Sequence, residues 1–152
     1  MIRADYALSD NPVVLREQVR VNLRKADLLT LCYSCFGGDL RLTVNEVDFS
    51  IVTGGGVQIL DFAVEFYTAG RAIASGKNAK IEFAGMADEI YLVLSGAAVT
   101  VSCSYADGDA QIPKEEVVVV SREFLRKVLA DLESRYPDLK KNENVKKMHY
   151  WA

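Results

Sequence analysis

The segment from residue 57 to 74 constrains the fold of this chain more than any other feature of its sequence. Its polar residues recur at helical spacing, which predicts a helix over about Val57–Ala74. They form one narrow stripe, made of Gln58, Asp61, Glu65 and Thr68. All other residues up to Ala69 are apolar, so this helix must be covered on more than one side. We expect either a second helix or a partner subunit to cover it.

Alternating apolar and polar residues predict strands on both sides of this helix. Before it, we expect strands over about Gln18–Lys25, 29–35, 40–44 and 47–51. After it, we expect strands over about 81–83, 90–94, 99–103 and, from a β-branched run, 117–120. Short turns at Gly37-Gly38, Asn45-Glu46 and Gly96 join consecutive strands. The fold class is therefore α+β, with an antiparallel meander sheet of about six to seven strands and two main helices packed on one face.

The second main helix is expected to begin after Ser121, whose side chain can cap it, and to stop at Tyr136-Pro137. A short helix can also start at Asn11-Pro12. Residues 1–152 are read as a single domain with a core over about 18–136. Residues 138–152 are read as a polar C-terminal tail whose lysines are solvated.

Composition and charge exclude some classes of function. The chain has 152 residues and a net charge of −3, which argues against general nucleic-acid binding. Residues 1–110 hold 9 basic and 14 acidic side chains, so this mildly acidic part suits a basic protein partner. No apolar run is long enough to span a membrane, and the first residues lack the apolar block of a secretory signal. We therefore expect a cytoplasmic protein with no membrane partner.

Cysteine and histidine do not predict a catalytic or metal site. Cys32 and Cys35 match C-x-x-C, but a strand would point them to opposite faces of the sheet. We expect reduced, partly buried thiols here and at Cys103, and a redox or metal role is the less favoured alternative. His149 is the only histidine and lies near the C-terminal end. No metal and no cofactor are expected.

Glycines and carboxylates offer two weaker candidates for chemistry. Thr53-Gly54-Gly55-Gly56 precedes a predicted helix, where free amides can bind phosphate, but no Lys-Ser/Thr pair follows, so a connector is favoured. Asp61 and Glu65 lie four residues apart on the helix, and their position on its polar stripe is explained by exposure to solvent. Catalysis or cation binding by such carboxylates is the alternative.

The run from Gly38 to Phe49, followed by Ile59-Leu60-Asp61-Phe62-Ala63, resembles a strand-turn-strand and helix of small bacterial domains. We associate this order of elements with proteins that resemble immunity proteins of bacterial polymorphic-toxin systems. The resemblance covers about residues 19–136. It implies tight binding to a toxin without catalysis, and it assigns no site residues.

Three functions remain open from the sequence. The first is a non-catalytic protein-binding domain, most specifically an immunity-type protein that occludes a toxin with an acidic surface. The second is a homo-oligomeric structural or assembly subunit, suggested by the apolar helix, and the third is a small-molecule-binding domain. The candidate contacts with a protein partner lie on the polar sheet face and an acidic loop tip, and they are Asp48, Glu82, Tyr91, Asp107 and Asp109.

Overall fold

The computed structural model describes residues 1–152, which form eight strands and four α-helices. The strands are β1 (Ile2–Leu8), β2 (Gly37–Val44), β3 (Val47–Asp48), β4 (Val57–Gln58), β5 (Ala79–Glu82), β6 (Glu89–Ser95), β7 (Ala98–Cys103) and β8 (Ala110–Pro113). The α-helices are α1 (Leu28–Tyr33), α2 (Ile59–Ala74), α3 (Lys114–Arg135) and α4 (Glu143–Trp151). Short 3-10 helices span Gln18–Arg20 and Pro137–Lys141. The α+β class is confirmed.

The strands form two antiparallel sheets of four strands each, so the prediction of one meander of six to seven strands is wrong. In the first sheet, β2 lies at the centre, with β1 on one side and β3 and β4 on the other. The second sheet has the order β5-β6-β7-β8. No strand of the first sheet pairs with a strand of the second, and β1, which was not predicted, pairs with β2 along its whole length.

One core joins both sheets to the helices. The inner faces of the sheets contribute residues such as Leu42 and Leu92, and α2 and α3 pack against each other beneath them. The contact between these helices is close at Gly70, where an added Cβ would lie 2.1 Å from the Ser121 Oγ. Helix α2 is thus covered by α3 and by β5 of the same chain. The expectation that a second helix covers it is confirmed.

The two strands predicted before Gly37 are not strands. Residues 18–20 form a single 3-10 turn, in which Val19 is 77% exposed. Residues 28–33 form α1 because Asp27 caps it: its carboxylate accepts a hydrogen bond of 2.8 Å from the Thr30 amide. The segment after Asn11 folds as hydrogen-bonded turns that lead into the 3-10 helix.

Gly37 and Gly38 do not form the predicted turn, because they lie inside β2. A Cβ on Gly37 would lie 2.8 Å from the Gly55 carbonyl oxygen, and one on Gly38 would lie 2.4 Å from the Ala7 carbonyl oxygen. These glycines therefore allow close approach of neighbouring backbone rather than a reversal of the chain. The turn at Asn45-Glu46 is confirmed, and both residues adopt positive φ.

The β-branched run 117–120 is helical, because α3 begins at Lys114. Glu115 and Glu116 in its first turn favour the positive end of the helix dipole. From Val117 the buried residues follow helical spacing to Leu132, so burial overrides the preference of valine for strands. Ser121 consequently lies inside the helix and does not cap it.

The C-terminal segment is part of the folded core rather than a solvated tail. Leu139, Val145 and Met148 are all buried to 99% or more. Helix α4 is capped by Asn142, which is 1% exposed. The core therefore extends beyond 18–136 at both ends, since Ile2 of β1 is also buried. None of the helices has the length and apolar character needed to cross a membrane.

Candidate functional site

An acidic cleft lies where the end of α1, the first turns of α2 and the hairpin of β5 and β6 meet. It is open to solvent and has a volume of about 660 Å³. Its lining is made of Tyr33, Asp61, Glu65, Lys80, Glu82, Phe83, Ala84, Gly85, Met86, Ala87, Asp88 and Glu89. Five of these side chains are carboxylates and only one is a cation, so the cleft attracts positive charge.

Asp61 is the most deeply placed carboxylate in the cleft. It lies in the first turn of α2 and is 7% exposed. Its Oδ2 accepts a hydrogen bond of 3.2 Å from the Ala84 amide, and no cation pairs with it. Burial raises the pKa of Asp61 above its usual value, although this hydrogen bond opposes the shift. The carboxylate is therefore held in a place where its charge is poorly compensated.

Glu65 lies one turn further along α2 and faces the same cleft. Burial raises the pKa of Glu65, and the negative charges of Asp61 and Glu82 raise it further. Both Asp61 and Glu82 therefore repel the Glu65 carboxylate. A bound cation would relieve this repulsion and favour the ionised form of each group.

Lys80 is the single cation of the cleft, and it is already engaged. Its Nζ lies 2.9 Å from Glu89 Oε2 and 3.1 Å from Glu82 Oε1. These two carboxylates raise the pKa of Lys80, with the hydrogen bond to Glu89 as the larger cause. Lys80 thus compensates charge at the β5–β6 rim, while Asp61 and Glu65 on the α2 side have no such partner.

An exposed aromatic ring completes the rim of the cleft. Tyr33, the last residue of α1, is 53% exposed and lines the cleft together with Asp61 and Glu65. A guanidinium or ammonium group can bind the face of a tyrosine ring as well as a carboxylate. An exposed aromatic ring next to unpaired carboxylates suits an arginine or lysine side chain from another molecule.

The acidic character continues from the cleft toward β3. Tyr105 donates a hydrogen bond of 2.6 Å to the Phe49 carbonyl oxygen, which ties the loop after β7 to the end of β3. Burial is the main cause that raises the pKa of Tyr105, and the charges of Asp88 and Asp48 add to the shift. Asp88 of the cleft and Asp48 of β3 therefore both lie near Tyr105.

The five candidate residues from the sequence do not form one site. Glu82 lines the cleft, and Tyr91 lies beside it, with its hydroxyl 3.4 Å from Glu89 Oε1. Asp48 lies on β3, where hydrogen bonds from Ser50 lower its pKa. Asp107 and Asp109 are exposed at the loop tip after β7 and do not line the cleft.

The expectation that Asp61 and Glu65 face solvent is wrong for Asp61, which is buried in the cleft, whereas Glu65 is half-buried there. The sequence carried one usable signal for them: two acids spaced by four residues on a helix that is otherwise apolar. It carried no signal for the parts that other elements supply, since Tyr33 was assigned to a strand. The positions of Ala84 and Asp88 at the cleft depend on the tertiary fold.

The glycine-rich segment before α2 is a connector whose free amides are already occupied. The Asp39 Oδ1 accepts hydrogen bonds from the amides of Thr53, Gly54 and Gly55 at 3.2, 3.0 and 2.9 Å. A carboxylate of the chain thus fills the place that a phosphate would take. The expectation that residues 53–56 are a connector between elements is confirmed.

The cysteines are free, as expected. Cys32 and Cys35 are buried around the end of α1, which corrects the strand assigned to them. Burial raises the pKa of Cys32 to about 12 and that of Cys35 to about 11. Thiols with such pKa values are poor nucleophiles near neutral pH.

No group of three or more histidine, cysteine or acidic side chains is arranged to hold a metal ion. Comparison with known proteins adds no identification: no protein-family model, no curated protein and no solved structure matches this chain.

Proposed function

We propose that this protein is a non-catalytic protein-binding domain whose acidic cleft receives a basic segment of a partner protein. The observation that carries the proposal is the burial of Asp61 in this cleft without a cationic partner. Ionised carboxylates that lack compensation reduce the stability of a folded protein. Sites of this kind, in a cleft and with shifted pKa values, are frequently functional.

The mechanism of recognition follows from the charges of the cleft. A lysine or arginine side chain that enters it would contact Asp61 and Glu65 and lie against the exposed ring of Tyr33. The surrounding negative charge would also speed association with a basic partner, most strongly at low salt. Binding by such contacts places the partner's basic residues out of reach of its own substrate.

The more specific form of the proposal is an immunity-type protein that neutralises a toxin by occlusion. Two arguments support it: the order of elements resembles such proteins, and a toxin that acts on nucleic acid needs a basic cleft that an acidic surface can cover. In this form the acidic cleft would take the place of the toxin's anionic substrate.

A small cationic molecule is the second candidate ligand. The cleft volume of about 660 Å³ lies within the range of small-molecule sites. The lining, however, is mainly charged, whereas such sites are mostly apolar. The homo-oligomer suggested by the apolar helix receives no support from α2, which packs against α3 and β5.

The direct test is affinity capture from the native host with the wild-type chain and a cleft variant, Asp61→Asn/Glu65→Gln. Both substitutions keep the size of the side chains and remove two negative charges. The matched control is Asp107→Asn/Asp109→Asn, which removes the same charge from an exposed loop outside the cleft. Circular dichroism would check that all three proteins are folded.

The proposal predicts one stoichiometric, basic protein that is captured by the wild type and the loop variant but not by the cleft variant. The immunity form further predicts that this protein stops growth when expressed alone and that co-expression of the wild-type chain restores growth. Equal capture by all three proteins would refute a role for the cleft. Stabilisation by spermidine without any captured protein would favour the small-cation candidate.

A further inference from the structure

Strand β1 pairs with β2 along one side. It has no strand on its second side, called here its free edge, where only side chains of α3 lie along it. In an antiparallel pair, alternate residues direct both backbone groups to the same side. The Met1 carbonyl and the Ser9 amide point toward the β2 side, where they bond Asn45 and Gly37. Ile2, Ala4, Tyr6 and Leu8 therefore direct their backbone groups to the free edge.

Side chains already cap two of the amides on this edge. The Glu116 Oε1 accepts a hydrogen bond of 2.7 Å from the Ile2 amide, and the Asp5 Oδ1 accepts one of 2.8 Å from the Tyr6 amide. Between them, Ala4 lines an open cleft of about 500 Å³, which β1 and α3 form together with Arg41 and Thr43 of β2. This cleft leaves space beside the backbone of Ala4 for another extended segment.

The sequence of β1 selects one register for pairing with a second copy of itself. Antiparallel pairing centred on Ala4 sets Arg3 opposite Asp5 of the second copy, and Asp5 opposite its Arg3, on the exposed face. Pairing centred on Arg3 or on Asp5 sets two like charges opposite each other, which is unfavourable. The Ala4 register also brings the edge-directed backbone groups of both strands together.

We propose that the free edge of β1 is a docking surface for a second copy of this chain, through antiparallel pairing about Ala4. The two Ala4 residues then exchange amide-to-carbonyl hydrogen bonds, and each Ile2 pairs with Tyr6 of the other copy. The charged pairs Arg3–Asp5 flank the central Ala4 pair, and the Ile2–Tyr6 pairs lie outside them. The first sheets of the two copies join into one continuous sheet.

Formation of the dimer requires an exchange of partners at the caps. Glu116 releases the Ile2 amide, and Asp5 turns from the Tyr6 amide to Arg3 of the second copy. Lys127, which bonds Asp5 at 3.1 Å and lies 4.8 Å from the centre of the Tyr6 ring, moves aside. It is half exposed, so it can reorient. Breaking these contacts offsets part of the free energy gained on pairing, so we expect a weak dimer that dissociates on dilution. The acidic cleft shares no residue with this edge and stays open.

The test is sedimentation equilibrium of the full chain over a wide range of concentration. The variants are Arg3→Glu, the charge swap Arg3→Glu/Asp5→Arg, and the control Arg20→Glu. Arg20 is exposed on the 3-10 helix Gln18–Arg20 and does not line the cleft beside β1. Hydrogen exchange at the Ala4 amide gives a second readout, because only pairing at the edge protects it. Thermal unfolding checks that each variant is folded.

We expect the wild type to form dimers, Arg3→Glu to weaken them about tenfold or more, and the charge swap to restore them. Protection of the Ala4 amide should rise with concentration in the wild type and in Arg20→Glu. A wild type that stays monomeric at every concentration would overturn the proposal. So would an Arg20→Glu variant that weakens the dimer as much as Arg3→Glu, or protection of Ala4 only by a different protein.

Discussion

Asn142 holds the C-terminal segment onto the body of the protein, and its truncation offers a quantitative test of this attachment. Its Nδ2 donates hydrogen bonds of 2.8 Å to the Leu23 carbonyl and 2.9 Å to the Ala26 carbonyl. Its Oδ1 caps α4 by accepting from the amides of Asn144 and Val145 at 2.8 and 3.3 Å. One buried side chain thus joins α4 to the segment before α1.

The substitution Asn142→Ala removes both functions. Loss of the helix cap costs about 1 kcal/mol. Loss of the donor leaves the Leu23 carbonyl without its partner, which costs roughly 1 to 3 kcal/mol. The Ala26 carbonyl retains a bond of 3.3 Å from the Asn144 side chain. We expect Asn142→Ala to lower the free energy of unfolding by about 2 to 4 kcal/mol.

Urea denaturation followed by circular dichroism would measure this change. Asn142→Ser keeps a capping oxygen but loses the donor, so it should show only the loss at the carbonyl. Asn144→Ala, which removes a single long hydrogen bond, is the control and should cost less than about 1 kcal/mol. If Asn142→Ala changes stability by less than about 0.5 kcal/mol, the segment is not held in the way described.

Three further predictions concern the core and the cleft. Gly70→Ala should destabilise the protein by about 1 to 2 kcal/mol in thermal unfolding, because its Cβ would overlap Ser121, and Ser121→Gly should rescue it. Burial raises the pKa of Asp61, so its contribution to stability is present below the ordinary value of 3.8 and is lost as the pH rises through the raised pKa. Asp61→Asn should therefore be more stable than the wild type at pH 7, and denaturation at acidic pH should show no such advantage. Cys32 and Cys35 should resist iodoacetamide at pH 8 in the native state and react after unfolding, as mass spectrometry would show.

The elements with a long, regular pattern could be predicted from the sequence. The polar stripe of α2 located that helix to within two residues at its start, and alternation located β6 and β7. These patterns persist over several residues and agree with the burial that the fold imposes. Their success came from local periodicity alone.

The elements that failed were those whose pattern is short or is decided by distant contacts. Residues 29–35 alternate like a strand, yet the cap at Asp27 and the burial of Leu31 and Cys32 make a helix. Residues 117–120 have the composition of a strand, yet they continue the buried stripe of α3. In each case the tertiary environment decided between two local structures.

The acidic cleft could not be predicted because its parts come from four separate elements. Of the five contacts proposed from the sequence for a protein partner, only Glu82 lines the cleft, with Tyr91 at its margin. Asp61 was recognised as polar, but its burial follows from the turn that brings the Ala84 amide to it. A polar residue on an apolar helix can face solvent or a cleft, and periodicity does not distinguish the two.

The most direct test of the central claim is the affinity of the captured partner for three forms of this chain, measured by titration calorimetry at two salt concentrations. The account predicts that Asp61→Asn/Glu65→Gln weakens binding at least tenfold, because two charge-assisted contacts are lost. It also predicts that Asp107→Asn/Asp109→Asn binds within about threefold of the wild type, since exposed charges outside the contact contribute little. Unchanged affinity in the cleft variant, or an equal loss in the loop variant, would contradict the claim that the cleft is the binding site.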